Sequence, residues 1–544
     1  MTEKTCAIEI YKKPGRKKKE KENFKSNSYL SGVMALSFSA VIVKIIGLVY
    51  KIPMLRLLGS EGMGYFNSAY EIYALLCAIS TAGLPVAMTV MISRCSGRDG
   101  ASERIFRISL KLFLLLGMIG SGIMLALSYP FASFLGNGKS FYSILAIAPT
   151  LFFICAVSAY RGYFQGKSRM VPTAVSQLIE AAGKLVLGIL FAIVALNAGF
   201  STEAVAAFAV LGLLLGSMIS ALYLLVLKRR ETNRISEVKL ERERGIVKEL
   251  LRIAIPVTLS AAVISITKMI DMTMLLRRLQ GIGYTSEEAF SVYGSYTTLA
   301  LPLFALAPAL ISSVAVPIVP RLSRAISERD INTQSETVND GIRLTCIISM
   351  PIGVGLSLFS KQILELLFKG QTEAIALTAP LLTVLGMSVT LSSLITTGNS
   401  ILQAYGHPSI PMISMTVGTV IKAVLAFILI GNPKINAAGA PISTFCCDFI
   451  INVINFSYIT KYLPQSINLK KTLIRPFIAS TLAVSLVKIL YGVAEAKYSS
   501  GTLLTLISIA TSALIYAALC VVLRVVDKND HEKLPFAKRH EGER

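Results

Sequence analysis

Charged side chains set within long apolar stretches are the residues of this sequence with the clearest chemical consequences. Lys44 stands between Val43 and Ile45, and Glu71 lies in the run SAYEIYALL. Glu180 and Lys184 are spaced i,i+4 and Lys268 and Asp271 i,i+3, so on helices each pair would share a face and could satisfy itself. Lys422 and Asp448 stand in later apolar runs, and Lys111 and Lys488 lie nearer run ends, where a lysine stem can snorkel. A charge at mid-bilayer costs about 2.5–3.5 kcal/mol on insertion scales, so each of these residues needs a partner or a function. Lys44, Arg161 and Lys422 have no acid at pairing distance on their own segments. Cations lining a cavity would attract an anion, and phosphate is the natural match for lysine. Glu71, Glu180, Asp271 and Asp448 could pair with cations on neighbouring helices, or could carry a coupling ion, Na⁺ or H⁺.

The elements that hold these residues must be membrane helices. Of 544 residues, 53% are hydrophobic and only 16% charged, with a mean hydropathy of +0.64, which a soluble domain of this size could not sustain. Fourteen apolar runs are long enough to cross a bilayer: near 30–50, 66–93, 108–130, 141–160, 171–196, 205–227, 253–276, 291–319, 344–360, 377–404, 409–430, 437–460, 476–492 and 501–523. They are about twice a barrel strand and do not alternate, so the fold is an all-α bundle. None of the eight cysteines makes a CxxC, the three histidines have no ligand spacing, and Walker A, GxSxG and HExxH motifs are lacking. The sequence therefore reads as neither an ATPase, a hydrolase nor a metalloenzyme, and no cofactor is expected.

The basic excess, 54 Lys+Arg against 31 Asp+Glu, is a topological signal rather than a nucleic-acid one. Alternate connections hold 39 Lys and Arg in one set and 9 in the other, with the remaining six inside spans. Cytoplasmic loops collect these residues, so both termini are expected in the cytoplasm of a bacterial cell membrane. The tail from Lys12 to Lys25 enforces that orientation or meets anionic lipid, and the mixed-charge linker from Lys228 to Leu250 reads as a surface helix.

The chain also repeats itself. QGKSRMVPTAVSQLIEAAGKLVLGILFAI from Gln165 and QAYGHPSIPMISMTVGTVIKAVLAFILI from Gln403 align at an offset close to 238, matching Lys184 with Lys422. PVAMTVMISR, ending at Arg94, and SVAVPIVPRLSR, ending at Arg324, are offset by 230. Six spans separate each pair, so the halves run parallel, as in transporters with a central cavity. The expected organisation is a basic tail (1–29), a six-helix lobe (30–227), a linker (228–252), a second lobe (253–460), two further helices (461–523) and a tail (524–544).

AYRGYFQGKSRMVPTAVSQLIE (Ala159 to Glu180), the segment from Val43 to Arg94, and LQAYGHPSIPMISMTVGTVIKAVLAFILI (Leu402 to Ile430) carry a family resemblance. The chain resembles the stage V sporulation protein B and MurJ-like branch of the MOP exporter superfamily over about residues 28 to 526. That resemblance implies two six-helix lobes in a V, alternating access, and export of undecaprenyl-diphosphate-linked sugars, lipid II foremost. By position Lys44 keeps the charge of an arginine in the MurJ first span, whereas Tyr50 and Lys51 replace an Arg-Asp pair and lose its acid. The last two helices resemble those of a lipid-tail groove in MurJ-like members. The expected head-group contacts are Lys44, Arg56, Arg161, Lys184, Lys268 and Lys422, with Glu71, Glu180, Asp271 and Asp448 in ion pairs or coupling. Expected partners are membrane lipid, the anionic lipid-linked sugar and cell-wall synthesis proteins. Within the same class a teichoic or capsular precursor exporter is the nearest alternative, followed by a MATE-type multidrug or cation antiporter, which should have an acid-rich cavity, and by a scaffold in cell-wall or spore assembly.

The charge asymmetry makes a topological prediction. In a cysteine-free background, single cysteines at Ser201 and Thr285 should react with an impermeant thiol reagent outside intact cells, and those at Ser102 and Ser236 should not. The reverse labelling pattern would overturn the orientation.

Overall fold

The computed structural model describes residues 16–94, 99–136, 138–231, 243–315, 318–463, 468–498 and 501–525. Residues 232–242 of the linker, and 1–15 and 526–544 of the tails, lie outside the described residues; the rest of the expected surface helix continues α8 and α9, and the basic tail from Arg16 on belongs to α1. Twenty α-helices and no strand occur among the described residues. The first lobe's sequence forms α1 (Arg16–Thr81), α2 (Gly83–Arg94), α3 (Asp99–Ala126), α4 (Ser128–Phe134), α5 (Phe141–Ile147), α6 (Thr150–Gly166), α7 (Val171–Asn197) and α8 (Thr202–Glu231). The second forms α9 (Glu243–Gly281), α10 (Ser286–Ser295), α11 (Leu301–Phe304), α12 (Leu306–Ala315), α13 (Ile318–Ser327), α14 (Ile331–Leu358), α15 (Ser360–Leu367), α16 (Thr372–Ala404), α17 (Ser409–Ile430) and α18 (Gly439–Tyr462). Last come α19 (Arg475–Tyr498) and α20 (Thr502–Val522).

Thirteen stretches among the described residues are long and apolar enough to cross a membrane, and the first runs 52 residues from Ile42 to Ser93. At 1.5 Å per residue that is about 78 Å of helix, more than twice a hydrocarbon core of about 30 Å. It accordingly breaks at Gly59, whose φ of 65° is one that a side chain would resist. One crossing on each side of Gly59 brings the total among the described residues to fourteen, an even number that leaves the start of α1 and the end of α20 at one face. We call that face proximal and the opposite one distal.

Helix pairing repeats along the chain. α3 packs on α6, α6 on α8 and α7 on α8, and in the same order α14 packs on α16, α16 on α18 and α17 on α18. α19 and α20 pack on each other and lie outside this pattern against α14 and α15. Their outer surfaces are apolar and open, with Leu503 71% and Val493 69% exposed, as lipid-facing helices require. Lys488 folds over the rings of Phe359 and Tyr491, at 4.7 and 5.6 Å, which accounts for its charge without a functional role.

The two halves of the chain meet chiefly where α1 crosses α10 and where α1 and α2 run along α9. At the α1–α10 crossing the backbones touch: a Cβ on Gly64 would overlap the carbonyl of Phe290, and one on Gly294 would overlap the carbonyl of Ser60. A polar clasp closes the distal rim. Lys139 bonds Glu287 at 2.7 Å, Arg277 donates to the Phe134 carbonyl, and Gln280 donates to the Leu135 carbonyl at 3.3 Å.

The expected span 291–319 is met by one candidate crossing, Ser286–Ser312, but its helix is not regular. A π-helical turn, Tyr296–Ala300, separates α10 from α11. In that register the Leu301 N–H bonds the Tyr296 carbonyl, and Pro302 has no N–H to offer the next carbonyl, that of Thr297. An acceptor is thereby left open inside the bundle.

Backbone contact at the α1–α10 crossing yields a stability prediction. Gly294→Ala should cost about 1–3 kcal/mol by overpacking and lower the melting temperature of the purified protein. Gly122, whose Cβ position is open, should accept alanine without loss. Equal melting of both variants would show that the crossing is not tightly packed.

Candidate functional site

The intramembrane charges do not pair within their own helices. Arg161 on α6 reaches across to α7, with Nη2 2.9 Å from Glu180 Oε2 and Nε donating to Ser176 Oγ at 2.8 Å. Lys422 on α17, only 6% exposed, bonds Asp271 of α9 through Nζ at 2.6 Å to Oδ2. Each pair joins two helices within one half of the chain. Charges this deep are held by a partner at hydrogen-bond distance, because an uncompensated one costs several kcal/mol.

These cross-helix pairs take the acids from Lys184 and Lys268. Lys184 turns instead into a box of aromatic faces, its Nζ 5.2 Å from the Tyr50 ring centre, 5.7 Å from Phe66 and 4.7 Å from Tyr70. Ring quadrupoles attract an ammonium but supply no counter-charge. Lys268 is exposed on α9. Its acidic neighbour across the interface is Glu71, whose charged surroundings are Lys268, Lys51 and Asp271. One Glu71 oxygen, Oε2, is buried with no hydrogen-bond partner.

Lys51 links the halves. Its Nζ donates to the open Thr297 carbonyl at 2.6 Å, and its charged neighbours are Lys184, Glu71 and Lys268. Beside it Asn67 donates to the hydroxyls of Thr297 and Thr298, both at 2.9 Å. From the sequence Tyr50 and Lys51 stood only as the remnant of an Arg-Asp pair, and Phe66, Tyr70 and Thr297 went unnoticed. Pro302 was the available signal, since a proline four residues past the polar run Tyr296-Thr297-Thr298 frees a backbone acceptor there.

The expected site residues fall into three groups. Lys184, Lys268, Glu71, Asp271, Lys422 and Asp448, joined by the unexpected Lys51, are electrostatic neighbours in a band that runs from one half of the chain into the other. Arg161 and Glu180 are locked together within the first half beside that band. Lys44 and Arg56 stand apart. Lys44 is exposed on α1, about 22 Å of helix short of the Gly59 break, and makes no ion pair with a described residue. Arg56 lies at the distal rim, where its Nη2 meets the Lys369 carbonyl at 3.5 Å. With the two pairs set aside, Lys51, Lys184 and Lys268 face Glu71 and Asp448, so the band keeps a positive excess. No group of three or more metal-ligating side chains occurs among the described residues.

The repeat-related positions have diverged. Lys184 and Lys422 match in sequence, yet one sits in an aromatic box and the other in a salt bridge. Ser176, the partner of Arg161, matches Ser414, which donates to Asn455 Oδ1 at 2.7 Å, and Asn455 in turn donates to Asn399 at 3.0 Å. An uncharged network thus replaces an ion pair in the second half.

The two pairs predict a non-additive mutant cycle. Asp271→Asn alone should cost about 3–5 kcal/mol by stranding the Lys422 charge. Lys422→Met added to it should recover a good part of that loss, as read by thermal melting in detergent. Strictly additive losses would mean that the 2.6 Å contact carries no coupling.

Comparison with known proteins gives two family matches, polysaccharide biosynthesis protein over residues 29–326 and MatE over residues 256–428. The chain is similar to stage V sporulation protein B of Bacillus subtilis (strain 168), at 25% identity over 529 residues covering 94% of this chain and 98% of that protein. It is similar to the lipid II flippase MurJ of the same organism at 25% identity over 442 residues, 77% of this chain and 80% of the relative. A solved structure of lipid II flippase MurJ in an inward closed conformation matches its fold with a TM-score of 0.70 and 15% identity, covering 90% of this chain and 99% of that one.

Proposed function

The chain belongs to the polysaccharide biosynthesis protein family, and on that premise we propose that it is a flippase for an undecaprenyl-diphosphate-linked cell-wall precursor, lipid II foremost. It is a multi-pass membrane transporter of the MOP superfamily. The observation that carries the substrate class is the positive excess of the interface band. Lys51, Lys184 and Lys268 make no salt bridge with a described residue and gather at the junction of the two halves, where alternating access would expose them to each side in turn. A diphosphate supplies the anion that this band lacks. A multidrug or cation antiporter would need the opposite balance, with acids in excess.

In this reading the head group enters between the lobes and draws Lys184 and Lys268 towards its phosphates, while Lys44 lines the entry from α1. Arg161 and Lys422 keep their carboxylates while the head group binds. A charge-assisted bond to phosphate is roughly twice as strong as one to a neutral carbonyl. The substrate would therefore compete for Lys51 against Thr297, loosening a bond that ties the lobes. Outward movement needs no nucleotide. With an inside-negative membrane each negative charge gains about 2.3 kcal/mol per 100 mV. About two unneutralised charges would gain roughly 4–5 kcal/mol, more than about a thousandfold at equilibrium.

In proteoliposomes, export of a labelled lipid-linked diphosphate to the outer leaflet should slow when the potential is collapsed at constant pH gradient. Lys184→Ala and Lys268→Ala should abolish that export while expression and melting stay near wild type. Full activity in both alanine variants, or export indifferent to the potential, would refute the cationic-site reading. Transport of organic cations in place of the lipid would turn the assignment towards the multidrug class.

A further inference from the structure

Two buried acceptors stand one turn apart on α18 with no donor. Asp448 is 9% exposed and Asn452 6%, and both Asp448 Oδ2 and Asn452 Oδ1 are buried without a hydrogen-bond partner. Asn452 spends its amide donor on two carbonyls, those of Asp448 at 2.7 Å and of Leu391 on α16 at 2.9 Å. Its Oδ1 therefore faces outward from that bond with nothing to accept. Residues i and i+4 are neighbours on a helix surface, so the two orphans lie on one face. An unpaired buried acceptor is expensive, and an unpaired buried carboxylate much more so.

One proton removes both defects. A hydroxyl on Asp448 Oδ2 would turn that atom from acceptor to donor, and Asn452 Oδ1 is the acceptor that still wants one. We propose that Asp448 is a proton-binding site, its proton shared with Asn452, and that release of this proton repartners Lys422.

The surroundings explain why the proton would matter. The charged and titratable groups around Asp448 are Lys422 of α17, Asp271 of α9, Tyr296 of the π-helical turn and, on α18 itself, Cys447. The facing stretch of α16 around Leu391, Gly386 to Ile395, has no titratable side chain. Lys422 is thus the one cation acting on Asp448 among the described residues, and in this structure it is given to Asp271. When Asp448 loses its proton to solvent it becomes a second carboxylate beside that ammonium. Lys422 is then shared between α9 and α18, and the bond that ties α17 to α9 weakens. No other bond is made or broken, and no redox partner is involved. The site is independent of the lipid-linked substrate, so it stands or falls separately from the flippase reading.

The test uses the full chain reconstituted in lipid, without substrate, and pH-difference infrared spectroscopy of protonated carboxyl groups. Wild type should show a protonated-carboxyl carbonyl band that disappears as pH rises. Asp448→Asn should lack that component, whereas Asp271→Asn and Glu71→Gln should retain it. Asn452→Ala, which removes the acceptor, should weaken proton binding about tenfold, the worth of one hydrogen bond, and move the midpoint down by about one pH unit. Should Asp448→Asn fail to fold, the Asn452→Ala midpoint carries the test alone. An unchanged spectrum in Asp448→Asn, an unmoved midpoint in Asn452→Ala, or a band that follows replacement of Na⁺ by choline instead of pH would each overturn the proposal.

Discussion

Every charge sunk into this bundle must be compensated by another part of the protein, because the bilayer offers nothing to do it. That constraint organises the interior. It sends Arg161 to Glu180 and Lys422 to Asp271, puts Lys184 among three rings, and attaches Lys51 to a carbonyl that a proline has left open. The compensations differ in kind. Salt bridges neutralise, and they fix the two helices they join. Aromatic faces and a backbone carbonyl only hold a charge in place, so it remains available to an anion.

The architecture was legible in the sequence because it depends on length and hydropathy, which are local properties. The expected spans and the helices agree from the first crossing to the last, including the pair merged across Gly59. Partner choice was not legible, because it depends on which helices touch. Glu180 has a lysine four residues away yet bonds Arg161, nineteen residues back and on another helix. The guanidinium reaches Glu180 and Ser176 together from α6, and the Lys184 chain is claimed by the rings of α1. The same reasoning explains Lys268 and Asp271, whose helix-face proximity is real but loses to a buried Lys422. The π-helical turn escaped notice for a different reason, since hydropathy is blind to hydrogen-bond register.

Internal repetition set the scaffold and then released the details. The packing order of helices is the same in both halves, and Ser176 and Ser414 occupy matching positions in polar networks. Yet the first half uses Arg161 and Glu180 where the second uses Asn399, Asn455 and Ser414. A charged network tolerates no missing member, whereas amides and hydroxyls can exchange donors and acceptors at small cost. The first lobe is therefore built as the stiffer electrostatic unit. The second holds its charge at a single buried lysine, Lys422, with two carboxylates within its field.

Asymmetry of this sort suits a machine whose two halves must change their relation. The halves are tied by the Lys51–Thr297 carbonyl bond and the Asn67 bonds to Thr297 and Thr298 at the centre, a rim of exposed polar contacts, and backbone contact at Gly64 and Gly294. None of these is a buried carboxylate–cation pair, the contact that is costly to break. The buried pairs lie inside the halves instead. Buried ion pairing is thus concentrated within each lobe and absent from the described contacts between them, so a ligand that competes for Lys51 acts on a central link without breaking a buried pair.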